Sequence, residues 1–454
     1  MSGVRLAGLD IGTTSIGGLV VDEAGAVIAS TVRANAAWIT SDQPWERIQD
    51  PQAILAATAV ILADLSASCP GIRGVGLTGQ MHGIVYLDHS GQPVSPLYTW
   101  QDQRGALPAK EGTLAENLSA RTNHALATGY GLVTHRYNLD HGLVPAGAAV
   151  LCSIADYVAM KLAGQTAPVM DPTQAAGLGL FDAAAGRFDA AALTAAGIET
   201  DILPTIAASG SVVGRTPDGV PVAASLGDNQ ASFLGSVRDP DAALLVNVGT
   251  GGQISAFCPG YAAAAGLETR PFPGGCLLVG ATLCAGRAYA LLEGFFRDVC
   301  RTFTGGGPES VYDIMAQLFA RPLAGEALRV DTRFLGTRAR PDGRGAIAGI
   351  GLDNFTPQHL VAGFLEGIAG ELHDLFDLLP PAVSGGKTQL VGAGNGLRRN
   401  AALRGVCARR FGLPLRLPVH QEEAAYGAAL SAGVGAGVYR DFREAAGVIR
   451  YRTD

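Results

Sequence analysis

Three short segments carry residue types that can handle a phosphate. Asp10-Ile11-Gly12-Thr13-Thr14 follows the apolar run Val4–Leu9. Gly12 lets the backbone turn tightly, so consecutive N–H groups and the hydroxyls of Thr13 and Thr14 can point at phosphate oxygens. Asp10, at the mouth of such a loop, suits a hydrated Mg2+. The same residues also make an ordinary hairpin turn with an Asp–Thr hydrogen bond. A second segment shifts the balance: Leu244–Val248 runs into Gly249-Thr250-Gly251-Gly252, and Ile254–Phe257 follows. Aligned on Gly-Thr, Asp10 falls over Asn247 and Thr13 over Thr250, a displacement of 237 residues. Two such loops in tandem halves are predicted to grip a triphosphate from both sides of a cleft. A third glycine-rich turn, Gly392-Ala393-Gly394-Asn395-Gly396, follows Leu390-Val391.

Other segments offer groups that suit polyols. Gly227-Asp228-Asn229-Gln230 follows the apolar run Val220–Leu226. An Asp at a strand end, just before a domain boundary, can project into a cleft, where phosphorylating a hydroxyl requires a base beside the attacking oxygen. A solvated turn Asp is the alternative reading. Gln80 and His82 offer an amide and an imidazole to hydroxyls, with Met81 as an apolar wall, although a lone His is often a satisfied structural residue. The Trp100 ring can pack on sugar C–H groups, and Asp102 can accept from paired hydroxyls. Arg104 clamps either Asp102 or a substrate oxygen. Gly385-Gly386-Lys387-Thr388 echoes the end of a Walker A loop, but Pro381 occupies its first glycine and the segment precedes a strand. Lys387 is expected to be a solvated loop residue.

The elements that must position these groups read as alternating strands and helices. Val4–Leu9, Ser15–Val21 and Ala26–Val32 are apolar runs between turns. Pro51–Leu65 has a helical pattern with Asp50 as its N-cap and Pro51 at the first position. Ile72–Leu77 and Ile84–Leu87 read as further strands, and Ala424–Gly437 as a closely packed Ala/Gly-rich helix. This alternation predicts an α/β protein. The charged, proline-containing Arg238–Asp241 separates two halves, giving predicted domains 1–238 and 239–454.

Composition narrows the classes. With 48% hydrophobic residues, 16% charged and a formal net charge of −7, the 454-residue chain is neither disordered nor a basic nucleic-acid binder. Seven dispersed cysteines form no zinc or disulfide framework, which favours a reducing, cytoplasmic compartment. The N-terminus shows no signal-peptide pattern. The uncharged stretch Ala242–Leu267 is interrupted by Asn247, Gln253 and Pro259, so strands explain it better than a membrane helix.

Asp10–Ser15, Gly249–Gly252 and Gly392–Gly396 stand in the order of the actin/Hsp70-like ATPase superfamily. More closely, the chain resembles the FGGY carbohydrate kinases. The carrying segments are Gly79-Gln80-Met81-His82-Gly83, Trp100-Gln101-Asp102-Gln103-Arg104, Asp156-Tyr157, Gly227-Asp228-Asn229-Gln230 and Arg338–Gly349. The resemblance implies two actin-like, ribonuclease H-like α/β domains with an interdomain cleft. It implies phosphoryl transfer from ATP, with Mg2+, to a terminal hydroxyl of a ketose.

Asp228 matches the catalytic base and, with Asp10, the metal ligands. Gln80, Met81, His82, Trp100, Asp102, Asp228 and Asn229 match the sugar site. Thr13, Thr14, Gly249, Thr250, Gly251, Gly392, Gly394, Asn395 and Asn400 match the nucleotide site. Asp156 matches a position that is either a catalytic-site residue or a structural one that orients the sugar loop. Within the family, Thr99–Asp102, Ala127–Gly131 and Leu226–Ser232 are most similar to sedoheptulokinases, although Asn229 stands where that branch has an apolar residue. Xylulose, ribulose and gluconate remain alternatives, as does a noncatalytic actin- or Hsp70-like module. Sugar and ATP are the expected partners, without nucleic acid or membrane, in a family that implies a homodimer.

Overall fold

The computed structural model describes residues 3–109, 111–337, 340 and 342–453. Arg338, which opens the Arg338–Gly349 segment, lies outside the described residues. The chain divides into two compact units. The first holds Met1–Arg238, Arg270–Cys276 and His420–Arg450; the second holds Asp239–Thr269, Leu277–Val419 and Tyr451–Asp454.

The first unit is built on a sheet of β1 (Arg5–Ile11), β2 (Ser15–Asp22), β3 (Val27–Ala34), β4 (Ile72–Gly79), β5 (Val212–Arg215), β6 (Pro221–Ala223) and β7 (Leu226–Gly227). Its order is β5-β6-β4-β1-β2-β3, with β7 also pairing β4. The first three strands form an antiparallel meander because their connections are short turns; β4 runs parallel to β1 after a helical crossover. That crossover is α1 (Pro51–Ser68), opened by Asp50, whose carboxylate accepts from Gln52 N–H and Ala53 N–H. Helix α1 is long and apolar enough to cross a membrane, yet Ile54, Thr58, Ile61 and Leu65 form a buried stripe at helical spacing. Ile61 and Leu65 close over Gly18 of β2.

The Ala/Gly-rich helix expected near the C-terminus spans Glu423–Gly435 and belongs to this unit. It lies so close to the sheet that a Cβ at Gly8 or Gly76 would collide with the carbonyl oxygens of Ala425 or Ala428. Gly235 and Gly427 permit the same close approach to the helix Asp228–Ser236, since a Cβ at either would strike the other helix's backbone. Part of the glycine content therefore serves packing, and it fixes the helix that Asp228 opens.

The second sheet, in the second unit apart from residues 270–272 and 275–276, comprises β8 (Ala243–Val248), β9 (Gly252–Pro259), β10 (Glu268–Phe272), β11 (Gly275–Thr282), β12 (Gln389–Ala393) and β13 (Leu415–Arg416), in the order β10-β11-β9-β8-β12-β13. Strand β8 pairs antiparallel with β9 and parallel with β12, as β1 pairs with β2 and β4. The second strand runs from 15 to 22 in one unit and from 252 to 259 in the other, the displacement read from the Gly-Thr turns. Each unit thus repeats the ribonuclease H-like arrangement of the actin-like ATPases.

Lys387 corrects an expectation. It is only 7% exposed, and its Nζ donates to the carbonyls of Pro240 (2.9 Å), Asp241 (3.0 Å) and Phe257 (3.3 Å). The ammonium ties the chain entering β8 to β9, a convergence of carbonyls invisible in the local sequence. Burial pulls its pKa down to about 8, against the opposing pull of Asp241 and Asp239. Between that value and about 10.4 the unfolded chain binds the extra proton, so stability rises with pH through this window. In denaturant titrations across it, Lys387→Met is expected to lack a rise on the order of 2 kcal/mol that the parent shows.

Candidate active site

Within the first unit, the turn between β1 and β2 carries the expected acid and hydroxyls. Asp10, half-buried on β1, faces Gly17 on one side and Thr78 on the other. Burial pushes its carboxyl up to about 7, and the carboxylates of Asp228 and Glu422 add to the rise. Three acids therefore share one neighbourhood. Thr14 is exposed, while Thr13 is drawn toward the polyol candidates: its hydroxyl donates to Gln80 Oε1 (3.3 Å) and accepts from Trp100 Nε1 (2.9 Å). Gln80 is buried, and its Nε2 donates to Gln49 Oε1 at 2.9 Å. Gln49 in turn donates to Thr13 O at 2.9 Å. This chain of bonds joins the phosphate-loop residues to Trp100, whose ring remains 45% exposed.

His82 stands at φ 73°, a left-handed conformation that costs a bulky residue on the order of 1 kcal/mol. Two contacts hold it there: Nδ1–H donates to Gly177 O (2.7 Å), and the ring stacks on Tyr130 with centroids 4.7 Å apart. With the proton on Nδ1, Nε2 is the acceptor. The Met81 thioether packs where a side chain on Gly227 or Gly177 would stand.

Asp102 departs from the expected sugar contact. It is fully buried, and its oxygens accept from Arg104 Nε (2.7 Å) and Nη2 (3.1 Å) and from the backbone N–H of Arg104 (3.1 Å) and Arg47 (3.1 Å). Of the two roles open to Arg104, the structure shows the clamp on Asp102. Its guanidinium also reaches Glu46 (3.0 Å) and Asn138 and lies within 4.2–5.6 Å of the ring centres of Tyr98, Trp45 and Tyr137. The pair anchors the Trp100 loop from within.

Asp228 is exposed at the first position of the helix Asp228–Ser236, directly after β7. The strand that delivers it is tied on several sides. Thr78 Oγ1 (2.8 Å) and Gln174 Nε2 (2.9 Å) donate to Leu226 O, and Gly227 N–H donates to Thr173 Oγ1 (2.8 Å). Asp156 accepts from Ser225 Oγ and from Ser153 Oγ, so it orients the strand leading to Asp228. Burial lifts the Asp156 carboxyl to about 7. Desolvation by the surrounding protein raises the Asp228 carboxyl above its ordinary range, while Arg270 and the Asn229 N–H pull it down. Asn229 Oδ1 is buried and meets no donor among the described residues. Sequence reasoning missed Gln49, Thr173, Gln174, Ser225, Arg270 and Glu422, which lie in no shared motif and meet only through the fold.

In the second unit, Gly249-Thr250 forms an exposed turn between β8 and β9. Gly286 N–H donates to Gly249 O (3.1 Å) and Arg287 N–H to Thr250 O (3.0 Å), while a Cβ at Gly251 would strike Thr282 O. Gly394, at φ 79°, ends β12 and opens the short helix Asn395–Arg399, seated against Asn247 and Val248. Gly392 instead lies buried within β12 beneath Leu415, Leu417 and Leu397, where it serves packing. Asn400 caps the helix Ala401–Phe411, its Oδ1 accepting from Leu403 N–H at 2.9 Å.

Residues 6–235 match the profile of the FGGY family of carbohydrate kinases, N-terminal domain. The chain is 30% identical to sedoheptulokinase of Homo sapiens, over 93% of this chain and 96% of that protein. It is 25% identical to xylulose kinase of Lactococcus lactis, over 95% and 88% respectively. Among solved structures, xylulose kinase from Rhodospirillum rubrum superposes with a TM-score of 0.83 at 23% identity, covering 99% of this chain and 93% of that one.

Proposed function

The chain belongs to the FGGY family of carbohydrate kinases, and from that premise we propose that it transfers the γ-phosphoryl group of ATP to a terminal hydroxyl of a ketose, sedoheptulose first among them. Sugar kinase activity follows from the family; the acceptor and the residue roles are the proposal. One observation supports the mechanism: an exposed Asp228 at the head of a helix, directly after a strand whose Leu226 O and Gly227 N–H are both hydrogen-bonded, in the unit that also holds His82 and Trp100. One comparison favours sedoheptulose, the 30% identity to the human sedoheptulokinase over nearly the whole of both chains.

In this reading Trp100 offers its exposed ring to the C–H face of the sugar, and His82 Nε2 accepts a hydrogen bond from a sugar hydroxyl. Gln80 and Met81 shape the wall, Asn229 turns toward the sugar, and Asp102 acts through Arg104 as a positioning residue. A carboxylate oxygen of Asp228 accepts the proton of the terminal hydroxyl as that oxygen bonds the γ-phosphorus and the bond to the β–γ bridging oxygen breaks, releasing ADP. The turns at Thr13-Thr14 and Gly249-Thr250-Gly251 are assigned to the phosphates, and Gly394, Asn395 and Asn400 to the nucleoside. The donor chemistry at Asp10 fits Mg2+: burial and neighbouring acids disfavour its ionised form, which a cation would offset, and carboxylate oxygens suit a hard cation. Among the described residues no group of three or more His, Cys, Asp or Glu side chains is placed to hold a metal ion, so phosphate and water would have to supply most of its shell. Bound at Asp10 with Asp228 close by, Mg2+ would neutralise phosphate charge. Residues 1–238 are assigned to sugar and base, and 239–454 to nucleotide.

A coupled ADP-release screen over sedoheptulose, xylulose, ribulose, glycerol and gluconate tests the acceptor. Sedoheptulose is expected to give the highest kcat/KM, by about tenfold or more, a margin that one or two additional hydroxyl contacts supply. A higher value for xylulose or ribulose overturns the seven-carbon assignment.

A further inference from the structure

One cation lies against the acids of the first unit and belongs to no motif. Arg270 sits in β10, and the residues after it are fastened to the helix that Asp228 opens. Gln230 Nε2 donates to Pro271 O at 3.3 Å, and the Phe272 ring meets Phe233 edge-on, with centroids 5.2 Å apart. Gln230 and Phe233 both lie on Asp228–Ser236, so the base and the arginine are mounted on one rigid piece. Arg270 leaves the strand on the same face as Phe272, toward the helix that Asp228 opens, and its positive charge favours the ionised form of the Asp228 carboxyl, with the Tyr130 phenol also within its electrostatic reach. Tyr130 is the ring on which His82 stacks. A guanidinium taken partly out of water must be offset by anions or acceptors, and its planar fork fixes the orientation of the carboxylate it faces.

We propose that Arg270 is a positioning residue of the acceptor site, which holds the Asp228 carboxylate toward the hydroxyl under attack from the side of the Tyr130–His82 stack. This rests on the assignment of Asp228 as the base. Loss of the guanidinium leaves the sugar contacts at His82 and Trp100 in place but lets the carboxylate swing, so the effect falls on turnover more than on sugar binding. A misplacement of about 1 Å at the reacting atoms is enough for a loss on the order of 10²-fold.

The test uses the full chain with sedoheptulose and ATP, in Arg270→Ala, Arg270→Lys, Asp228→Asn and the double variant Arg270→Ala/Asp228→Asn, with melting temperatures measured alongside. Arg270→Ala is expected to lose about 10²-fold in kcat with a much smaller change in sugar KM. Lysine recovers part of the loss, added guanidinium ion restores Arg270→Ala severalfold, and the double variant is no slower than Asp228→Asn alone. Turnover of Arg270→Ala within about twofold of the parent, while Asp228→Asn is inactive, overturns the role of Arg270 alone. A loss that guanidinium does not restore and that adds to Asp228→Asn assigns Arg270 a purely structural part and also overturns it. Near-normal turnover in Asp228→Asn overturns the base and the proposal with it.

Discussion

Asp228→Asn loses on the order of 10²–10⁴-fold in kcat while binding sugar within a few-fold of the parent. The amide keeps the size of the side chain and its place at the start of the helix, so the segment 225–227 and its ties to Thr78, Thr173, Gln174 and Asp156 are undisturbed. What it removes is the oxygen that accepts a proton. The variant folds at least as well as the parent, because the surroundings of Asp228 disfavour its charged form. Single-turnover kinetics with calorimetric titration of the ketose separate the two effects. Turnover near the parent value contradicts the assignment, and unchanged turnover with lost sugar affinity reduces Asp228 to a binding group.

The second large effect is on stability. Arg104→Met strands the Asp102 carboxylate with only two backbone donors in a site without solvent, and it empties a cage of three aromatic rings. Breaking such a buried pair costs about 3–5 kcal/mol, whereas removing both charges costs less because no lone ion remains. Arg104→Met is therefore expected to lose about that much in chemical denaturation, and Arg104→Met/Asp102→Leu to lose less than the single variant. Because Trp100 lies two residues before Asp102, the single variant also raises the KM for the ketose. A single variant within about 1 kcal/mol of the parent contradicts the account of this network.

These two residues show what the sequence makes legible. The Gly-Thr turns, the strand before each and the helix after Asp50 depend on neighbours in the chain, so their spacing could be read directly, and the displacement between Asp10 and Asn247 reappeared as the same central pairings in both sheets. The place of Asp228 at a strand end was legible for the same reason. Asp102 was readable as an acid near a Trp but not as a buried one, since its enclosure needs Glu46, Tyr98, Tyr137 and Asn138 from distant segments. Lys387 was misread because the carbonyls around it come from Pro240, Asp241 and Phe257. Arg270 and Glu422 were invisible: nothing local marks a charge that matters only after a later part of the chain returns to the first unit.

The central claim is that this kinase places phosphate on the terminal oxygen of a ketose with Asp228 as the base. Proton–phosphorus correlation NMR of the product formed from sedoheptulose and ATP tests it most directly. The account predicts a single product whose phosphorus couples to the two methylene protons of the terminal carbon farthest from the ketone, formed by the parent and at least about 10²-fold more slowly by Asp228→Asn. Phosphate on any other carbon, or orthophosphate released from ATP with the ketose left unchanged, would contradict it.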